Sequence, residues 1–138
     1  MLLVDDIAVQ LGGVQILRDV AINVQDGETV AVLGPSGSGK STLLRAIAGL
    51  VPVVSGEIYW DGSDMTEVPT HKREFGLMFQ GYALFPHLDV AGNVAFGLRN
   101  TTSNTDMEGS VAKALGWVGL NGFEARRIED LSGGEKQR

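Results

Sequence analysis

The sequence predicts an α/β fold, and the order of three neighbouring segments carries that prediction. A mostly apolar, partly β-branched run, Thr29–Leu33, ends at a glycine-rich loop, as a buried strand does. The loop leads into an apolar helical segment, Leu43–Ala48, which Gly49 closes. A strand, a loop and a helix in this order form a unit of an α/β sheet.

The loop between this strand and this helix matches the phosphate-binding pattern G-x-x-x-x-G-K-[ST] without a mismatch. Its residues are Gly34, Pro35, Ser36, Gly37, Ser38, Gly39, Lys40 and Ser41, and Thr42 continues into the helix. Glycines let the backbone turn its N–H groups towards phosphate oxygens, and the helix dipole adds to the attraction. Lys40 would place its charge on the β- and γ-phosphates, and Ser41 would place its hydroxyl on Mg²⁺. A glycine- and serine-rich stretch can also be a linker, but the flanking strand and helix favour a site for a nucleoside triphosphate.

Other segments predict an antiparallel start and a helical second half. Strands are expected at Leu2–Val9 and Gln15–Val24 around a Gly12-Gly13 turn, at Ser55–Gly62 and at Glu74–Phe79. Apolar spacing then becomes helical, at Val90–Leu98 and at Met107–Val118, where Val111, Leu115 and Val118 share a face. The polar run 100–105 is expected to be a turn between these helices.

A second motif stands at Leu131–Arg138, with the sequence LSGGEKQR. Ser132 with Glu135 three residues later is the pattern of a capped helix start. Gly133 and Gly134 would also expose N–H groups at the positive end of that helix, which suits an anion. Together with the phosphate loop, the octet resembles the signature motif of the ATP-binding cassette family, the ATPase subunits of ABC transporters.

The resemblance implies a P-loop NTPase core with an N-terminal antiparallel β subdomain and an α-helical subdomain. It implies ATP and Mg²⁺ as ligands, bound between two ATPase subunits arranged head to tail. Ser132, Gly133 and Gly134 would contact the ATP held by the opposite subunit. The segment 75–88 is similar to the Q-loop of importers, which makes Gln80 the glutamine that reaches Mg²⁺ and the attacking water. Taken alone, a glutamine after an apolar strand is usually only a strand end.

The segment Tyr82–His87 follows Gln80 and concentrates Tyr82, Phe85 and Pro86 on a loop. We expect it to dock on a transmembrane permease subunit, as an apolar surface patch often marks a partner. Burial under the helical subdomain is the alternative. The stretch is similar to importers of the spermidine/putrescine, iron(III), thiamine and sugar group, and it does not choose among their solutes.

Composition limits the partners. The chain has 138 residues, 17 acidic against 11 basic, and a net charge of −6, which argues against nucleic acid and against adhesion to anionic lipid. No apolar run is long enough to span a bilayer, Met1 is not followed by a signal peptide, and there is no cysteine for a disulfide or a thiolate metal site. We expect a cytoplasmic protein, peripheral on the inner face of the membrane.

Several features of the family are not found in this sequence. No apolar strand ending in Asp-Glu, the Walker B strand with the general base, follows the signature, and neither does a switch histidine. His71, His87 and the pair Glu129-Asp130 precede it and are expected to be solvated. We therefore interpret the chain as the N-terminal part of a domain of about 230 residues or more. Its expected divisions are 1–87 (core and β subdomain), 88–130 (helical subdomain) and 131–138 (signature).

Leu11 is a further departure, because the family commonly has an adenine-stacking aromatic residue there. We predict that Leu11 makes only an apolar contact with the base, so that base selectivity is loose. Two other interpretations remain. A DNA-repair or chromosome ATPase normally carries a coiled-coil or zinc insert between the two motifs, and neither heptads nor cysteines occur here. An inactive nucleotide-binding module would describe the chain as it stands, without its catalytic strand.

Overall fold

The computed structural model describes residues 1–79, 81, 83–98 and 106–138. The chain divides into two compact units, Met1–Leu77 and Met78–Arg138. This boundary falls ten residues before the division predicted after residue 87, and the predicted division into core, helical subdomain and signature stays a prediction. The first unit is built around a sheet, and the second is built from helices, so the mixed α/β content expected from the sequence is confirmed.

The sheet of the first unit has four strands in the order β2-β1-β3-β4. These are β1 (Leu2–Leu11), β2 (Val14–Val24), β3 (Ser55–Trp60) and β4 (Ser63–Asp64). Every pairing is antiparallel, and β1 and β2 form a hairpin around the Gly12-Gly13 turn. The predicted antiparallel start is confirmed. Val4, Ile7 and Val9 of β1 are fully buried in the core, and register irregularities between Val4 and Val9 break the strict alternation of a regular strand.

Helix α1 (Lys40–Ile47) covers this sheet and carries the phosphate loop at its N-terminus. Its buried residues, Leu43 and Ala46, lie three positions apart and therefore on one face of the helix, which joins the core of β1, β2 and β3. Gly49 ends the helix in the left-handed region, and Leu50 N–H donates to the Arg45 carbonyl at 2.8 Å. The predicted stop at Gly49 is confirmed. Helix α2 (Thr70–Arg73) follows β4 in this unit.

The strands predicted at Thr29–Leu33 and Glu74–Phe79 are wrong for this chain. Among the described residues neither segment belongs to a strand, although both are strongly apolar. A strand is defined by hydrogen bonds to a neighbouring strand, and the antiparallel sheet pairs with neither segment. The side chains of Thr29–Leu33 are exposed, with Leu33 89% exposed; in the second segment Met78 is 84% exposed, while Phe75 and Leu77 are half-buried and Phe75 contacts the Trp60 ring.

The second unit contains α3 (Val90–Leu98), α4 (Met107–Trp117), a short 3₁₀ turn (Ile128–Asp130) and α5 (Gly133–Gln137). Its buried core consists of Val90, Ala95, Val111, Leu115, Leu120, Ile128 and Leu131. The two predicted helices are confirmed, and Val111 and Leu115 face the core as their spacing indicated. The predicted polar turn at 100–105 lies outside the described residues. Within the described ranges, no helix has the length and the apolar character required to span a bilayer.

Candidate functional site

The phosphate loop has a backbone shape that requires glycine next to α1. Gly39 caps the N-terminus of α1 with φ 89°, a left-handed conformation that other residues rarely adopt. A Cβ atom at this position would lie 2.7 Å from Cδ2 of Leu17 on β2. The loop therefore lies directly against the β1–β2 hairpin, and it fits there because Gly39 has no side chain.

Several N–H groups at this end of α1 find no acceptor in the described part of the chain. Across the described residues, no backbone or side-chain oxygen accepts from the amides of Gly37, Gly39, Lys40 or Ser41. Free amides at a helix start carry partial positive charge and are the usual partners of a phosphate. Because they belong to consecutive turns of one loop, they can serve several oxygens of the same anion.

Lys40 is held across the loop by backbone carbonyls. Its Nζ donates to the carbonyl oxygens of Gly34 at 2.8 Å and Pro35 at 2.7 Å, and it lies 3.4 Å from Oγ of Ser38. No carboxylate in the described part of the chain forms a salt bridge with Lys40. The ammonium charge is therefore positioned at the loop without being neutralised, which is what an anionic ligand needs.

The hydroxyl groups of the loop are suitable ligands for a magnesium ion that takes most of its other ligands from phosphate and water. Ser41 is exposed at the first turn of α1, and Thr42 beside it is half-buried. Among the residues that the structure describes, no group of three or more His, Cys, Asp or Glu side chains could hold a metal by themselves. Mg²⁺ commonly takes one or two protein oxygens and completes its shell with water and phosphate, so a single Ser41 hydroxyl fits it. Gln80, the second predicted magnesium residue, lies outside the described residues.

Leu11 stands at the tip of the hairpin that contacts the loop. It pairs with Val14 across the turn, and the two aliphatic side chains are 43% and 62% exposed. Leu17, which lies against Gly39, is three residues further along β2 than Val14. The tip therefore presents an aliphatic surface near the phosphate loop, and no aromatic ring belongs to this pair.

The predicted signature residues start α5 with a complete capping box. Ser132 Oγ accepts from the Glu135 amide at 3.3 Å, and the Glu135 carboxylate accepts from the Ser132 amide at 2.7 Å. Hydrogen bonding to the carboxylate by the Ser132 side chain, and then by the Ser132 amide, holds the pKa of the Glu135 carboxyl below its usual range. The amides of Gly133 and Gly134 have no acceptor in the described parts of the chain. Ser132, Gly133 and Gly134 thus form an exposed helix start in the second unit.

The aromatic segment is packed against α3 through Phe85. Its ring lies 4.4 Å from that of Phe96, centroid to centroid, and 5.9 Å from that of His87. Asn93 fixes the loop, because its Oδ1 accepts from the Phe85 amide at 2.8 Å and its Nδ2 donates to the Phe85 carbonyl at 3.1 Å. Phe85 is half-buried, while Pro86, His87 and Phe96 are exposed. Tyr82 lies outside the described residues.

Sequence reasoning missed two residues that organise these segments. Asn93 interrupts the apolar sequence of α3, and a polar side chain in such a helix is the signal that could have identified it. Arg73 is buried, 5% exposed, and its guanidinium donates only to backbone carbonyls. No pattern in the sequence marks Arg73 as buried. It follows the polar residues His71 and Lys72, which are exposed, and an arginine in such a run is usually at the surface.

Comparison with known proteins agrees with these motifs. The family profile described as ABC transporter matches residues 17–138. An Fe(3+) ions import ATP-binding protein of Streptomyces coelicolor is 52% identical over all of the chain, which covers 40% of that protein. A spermidine/putrescine import ATP-binding protein of Mesoplasma florum is 48% identical over 91% of the chain, which covers 36% of that protein. The chain therefore spans well under half the length of these curated relatives.

Two solved structures share the fold. A dimeric ATP-binding cassette, in a post-hydrolysis state with ADP and Pi, matches with a TM-score of 0.87 and 27% identity over 99% of this chain and 66% of that one. A dimeric bacterial ABC transporter cassette matches with a TM-score of 0.86 and 28% identity over the same shares. The profile, the relatives and the structures agree with the resemblance stated from the two motifs, and the chain belongs to the ABC transporter family.

Proposed function

We propose that the chain is the nucleotide-binding part of an ATPase subunit of an ABC importer, and that it binds Mg-ATP at the phosphate loop. The observation that carries this proposal is the free N–H cradle at the start of α1 with the unneutralised Lys40 ammonium beside it. The names of the iron and spermidine/putrescine relatives support the importer class. The subunit would work in the cytoplasm, at the inner face of the membrane.

The residues of the loop divide the work of holding the triphosphate. The amides of Gly37, Gly39, Lys40 and Ser41 donate to phosphate oxygens and need no rearrangement to do so. Gly34, Pro35, Ser36 and Ser38 form the curve of the loop, and Lys40 adds a charge that can reach the β- and γ-phosphates while its carbonyl contacts hold it in place. Thr42 extends the polar start of the helix. Preorganised donors of this kind lower the barrier for phosphoryl transfer by stabilising negative charge.

Magnesium, when bound, neutralises charge on the β- and γ-phosphates. In this chain Ser41 would hold it, and Gln80 is proposed as the second residue that reaches it and orients the attacking water. The hydrolytic step needs a general base in addition. We propose no base among the residues of this chain, so hydrolysis is assigned to the complete gene product.

A second subunit would complete the nucleotide site. We propose that two copies meet head to tail, so that Ser132, Gly133 and Gly134 of one copy face the triphosphate on the phosphate loop of the other. The exposed helix start supports this arrangement, because the Gly133 and Gly134 amides have no acceptor among the described residues and are suited to an anion. The dimeric state of the matched cassette structures also supports it.

A membrane permease is proposed as the partner of the Tyr82–His87 segment. The exposed Phe96 extends the apolar surface that begins with Phe85, and the Asn93 hydrogen bonds hold the Phe85 backbone against α3. A fixed aromatic patch at the surface suits a helix that inserts an apolar side chain. The half-buried state of Phe85 also agrees with the alternative, a purely internal cluster, and the two are separated by experiment below.

Calorimetric titration of Mg-ATP into the complete gene product tests the proposed function. The Lys40→Ala variant should bind Mg-ATP at least about a hundredfold more weakly, because the loop loses its side-chain charge on the β- and γ-phosphates. Lys72→Ala is the matched control, since Lys72 is an exposed lysine of the same unit and should bind as the wild type does. Equal affinity of the Lys40→Ala variant and the wild type would contradict the assignment of the loop.

A further inference from the structure

The C-terminal end of α1 is held by side chains of α2. Arg73 Nη1 donates to the carbonyls of Ala46 at 3.2 Å and Ile47 at 2.8 Å. Thr70 Oγ1 donates to the carbonyl of Gly49 at 2.7 Å. Carbonyls at the end of a helix have no partner within the helix, so they must find one elsewhere. Here α2 supplies donors to the carbonyls of Ile47 and Gly49, and Arg73 adds a second donor to the Ala46 carbonyl, which also accepts from the Gly49 amide at 3.0 Å.

The same guanidinium also binds the turn that precedes α2. Its Nε donates to the Val68 carbonyl at 2.7 Å, and its Nη2 donates to the Thr66 carbonyl at 2.8 Å. All four acceptors are therefore backbone oxygens, and they come from two separate segments of the first unit. The rigid, planar guanidinium fixes the distance and the angle between the end of α1 and this turn.

Burying the charged Arg73 side chain costs free energy, so its role is not only to fill volume in the core. Desolvation lowers the pKa of Arg73. The negative charge of Asp64 raises this pKa, but by less than desolvation lowers it. An apolar side chain could fill the same volume without taking a charge out of water. A buried cation that reaches two segments is better explained by the geometry it imposes.

Side-chain packing alone restrains α1 weakly along its axis. The helix has eight residues, about 12 Å of length, and only Leu43 and Ala46 are buried within it. Two buried side chains give α1 few packing contacts that fix its axial position, whereas a hydrogen bond constrains both a distance and an angle. A helix of two turns moves as one body, so a displacement at Ile47 is also a displacement of Lys40 and the loop amides.

We propose that Arg73 is a positioning residue for the phosphate loop. By holding the carbonyls of Ala46 and Ile47, it sets the axial position of α1 and hence the place of the amides that receive phosphate. Arg73 acts through the helix, from the end opposite to Lys40, and needs no contact with the nucleotide. This role rests on the proposed binding of Mg-ATP at the loop.

Gly49 provides an independent way to disturb Arg73. A Cβ atom at Gly49 would lie 2.5 Å from Nε of Arg73, so an alanine there displaces the guanidinium. Gly49 has φ +75°, and Gly62 has φ +77° with nothing within 4 Å of the corresponding Cβ. Alanine at Gly62 therefore imposes the same backbone strain without touching Arg73, and the two variants form a matched pair.

The test compares Mg-ATP affinity of folded variants of the complete gene product. Calorimetry would be done at a temperature at which circular dichroism shows each protein to be folded. Arg73→Met should weaken Mg-ATP binding by about tenfold, since misplacement of binding groups is costly even at small distances. Lys72→Met, which removes a neighbouring exposed cation of α2, should stay within about twofold of the wild type. An Arg73→Met protein that melts earlier but binds Mg-ATP with wild-type affinity would overturn the proposal.

The variants Gly49→Ala and Gly62→Ala test the proposal even if the Arg73→Met protein does not fold. Gly49→Ala should weaken Mg-ATP binding more than Gly62→Ala does, and equal affinities would overturn the proposal. Where Arg73→Met folds, Gly49→Ala should add little to it, because both changes remove the same restraint. Full additivity would show that Gly49 acts independently of Arg73. Absence of Mg-ATP binding by the wild type would contradict the proposed function, and this role of Arg73 with it.

Discussion

The chain contains two glycine-rich helix starts, at α1 and at α5, and they differ in what supports them. Helix α1 has eight residues and buries Leu43 and Ala46 in the core of its unit, whereas α5 has five residues and buries none. Both leave backbone amides free, but only the loop at α1 has a lysine held beside those amides. We therefore propose that the same backbone chemistry gives a self-sufficient anion site at α1 and an incomplete one at α5.

The polar groups of the two starts are used differently. At α5 the Ser132 amide and hydroxyl are both engaged by Glu135, which leaves the amides of Gly133 and Gly134 for a ligand. The α5 start would thus contribute a few donors to an anion already held elsewhere. This difference explains why we propose that the phosphate loop binds ATP within one subunit and that the signature acts on the ATP of another.

The largest expected effect separates the two starts by function. Ser132→Arg should abolish ATP-dependent dimerisation of the complete gene product, because a long cation would fill the space in which the partner's nucleotide meets α5. Mg-ATP binding by the monomer should be nearly unchanged, since the α1 loop is untouched. Light scattering with and without Mg-ATP measures the first property, and calorimetry measures the second.

Ser63→Arg is the control for added size and charge, because Ser63 is an exposed serine of β4. It should dimerise as the wild type does. If Ser132→Arg weakens monomer binding and dimerisation to the same degree, the two starts do not have the separate functions proposed here.

The next prediction concerns the aromatic segment of the second unit. Phe85→Asp should leave the ATPase activity of the subunit alone nearly intact and should abolish transport when the subunit is coupled to its permease. Trp117→Asp is the control, since Trp117 is an aromatic residue of the same unit and is 77% exposed. Loss of folding together with both activities would instead support an internal cluster around Phe85.

A gain of affinity is predicted at the hairpin tip beside the α1 loop. Leu11→Trp should tighten Mg-ATP binding by about fivefold to a hundredfold, because base–aromatic stacking is worth about 1 to 3 kcal/mol on the nucleic-acid scale. The wild type should discriminate weakly between ATP and GTP. Calorimetric titration of both nucleotides into both proteins measures this, and strong preference of the wild type for ATP would contradict the loose base contact assigned to Leu11.

The smallest expected effect is on the capping box of α5. Ser132 hydrogen bonds lower the pKa of the Glu135 carboxyl, so the folded helix start gains stability above the unfolded pKa and loses it as pH falls through the lowered folded value. Ser132→Ala should raise the pKa of Glu135 towards its ordinary value. Carbon-13 NMR titration of the Glu135 carboxyl in both proteins checks this, and an unchanged pKa would show that Ser132 is not its main partner.

The sequence predicted the elements whose causes are local. The Gly12-Gly13 hairpin, the stop at Gly49 and the capping box at Ser132 each depend on a few neighbouring residues, and the structure has all three. The strands expected at Thr29–Leu33 and Glu74–Phe79 failed because a strand needs a partner, which composition alone does not supply. Both segments are apolar, as the pattern indicated. An apolar pattern shows that a segment favours burial, but it does not show that the folded chain buries it.

In the candidate site, too, the sequence predicted the features that depend on neighbouring residues and missed a residue that depends on contacts between distant segments. The phosphate loop could be found from its pattern, and its residue types explain the free amides and the position of Lys40. Arg73 could not be found in this way, because its acceptors lie in other segments, up to 27 residues away for the bond to Ala46. Such bonds are fixed by tertiary packing and leave no periodic trace in the sequence.

The most direct test of the central claim is an amide NMR titration of the complete gene product with Mg-ATP. The account predicts that the amide signals of Gly37, Gly39, Lys40 and Ser41 show the largest downfield shifts, because these four N–H groups gain a phosphate acceptor that they lack in the protein alone. The Gly133 and Gly134 amides should shift only under conditions in which the dimer forms. Binding of Mg-ATP that leaves the four loop amides unshifted would contradict the account.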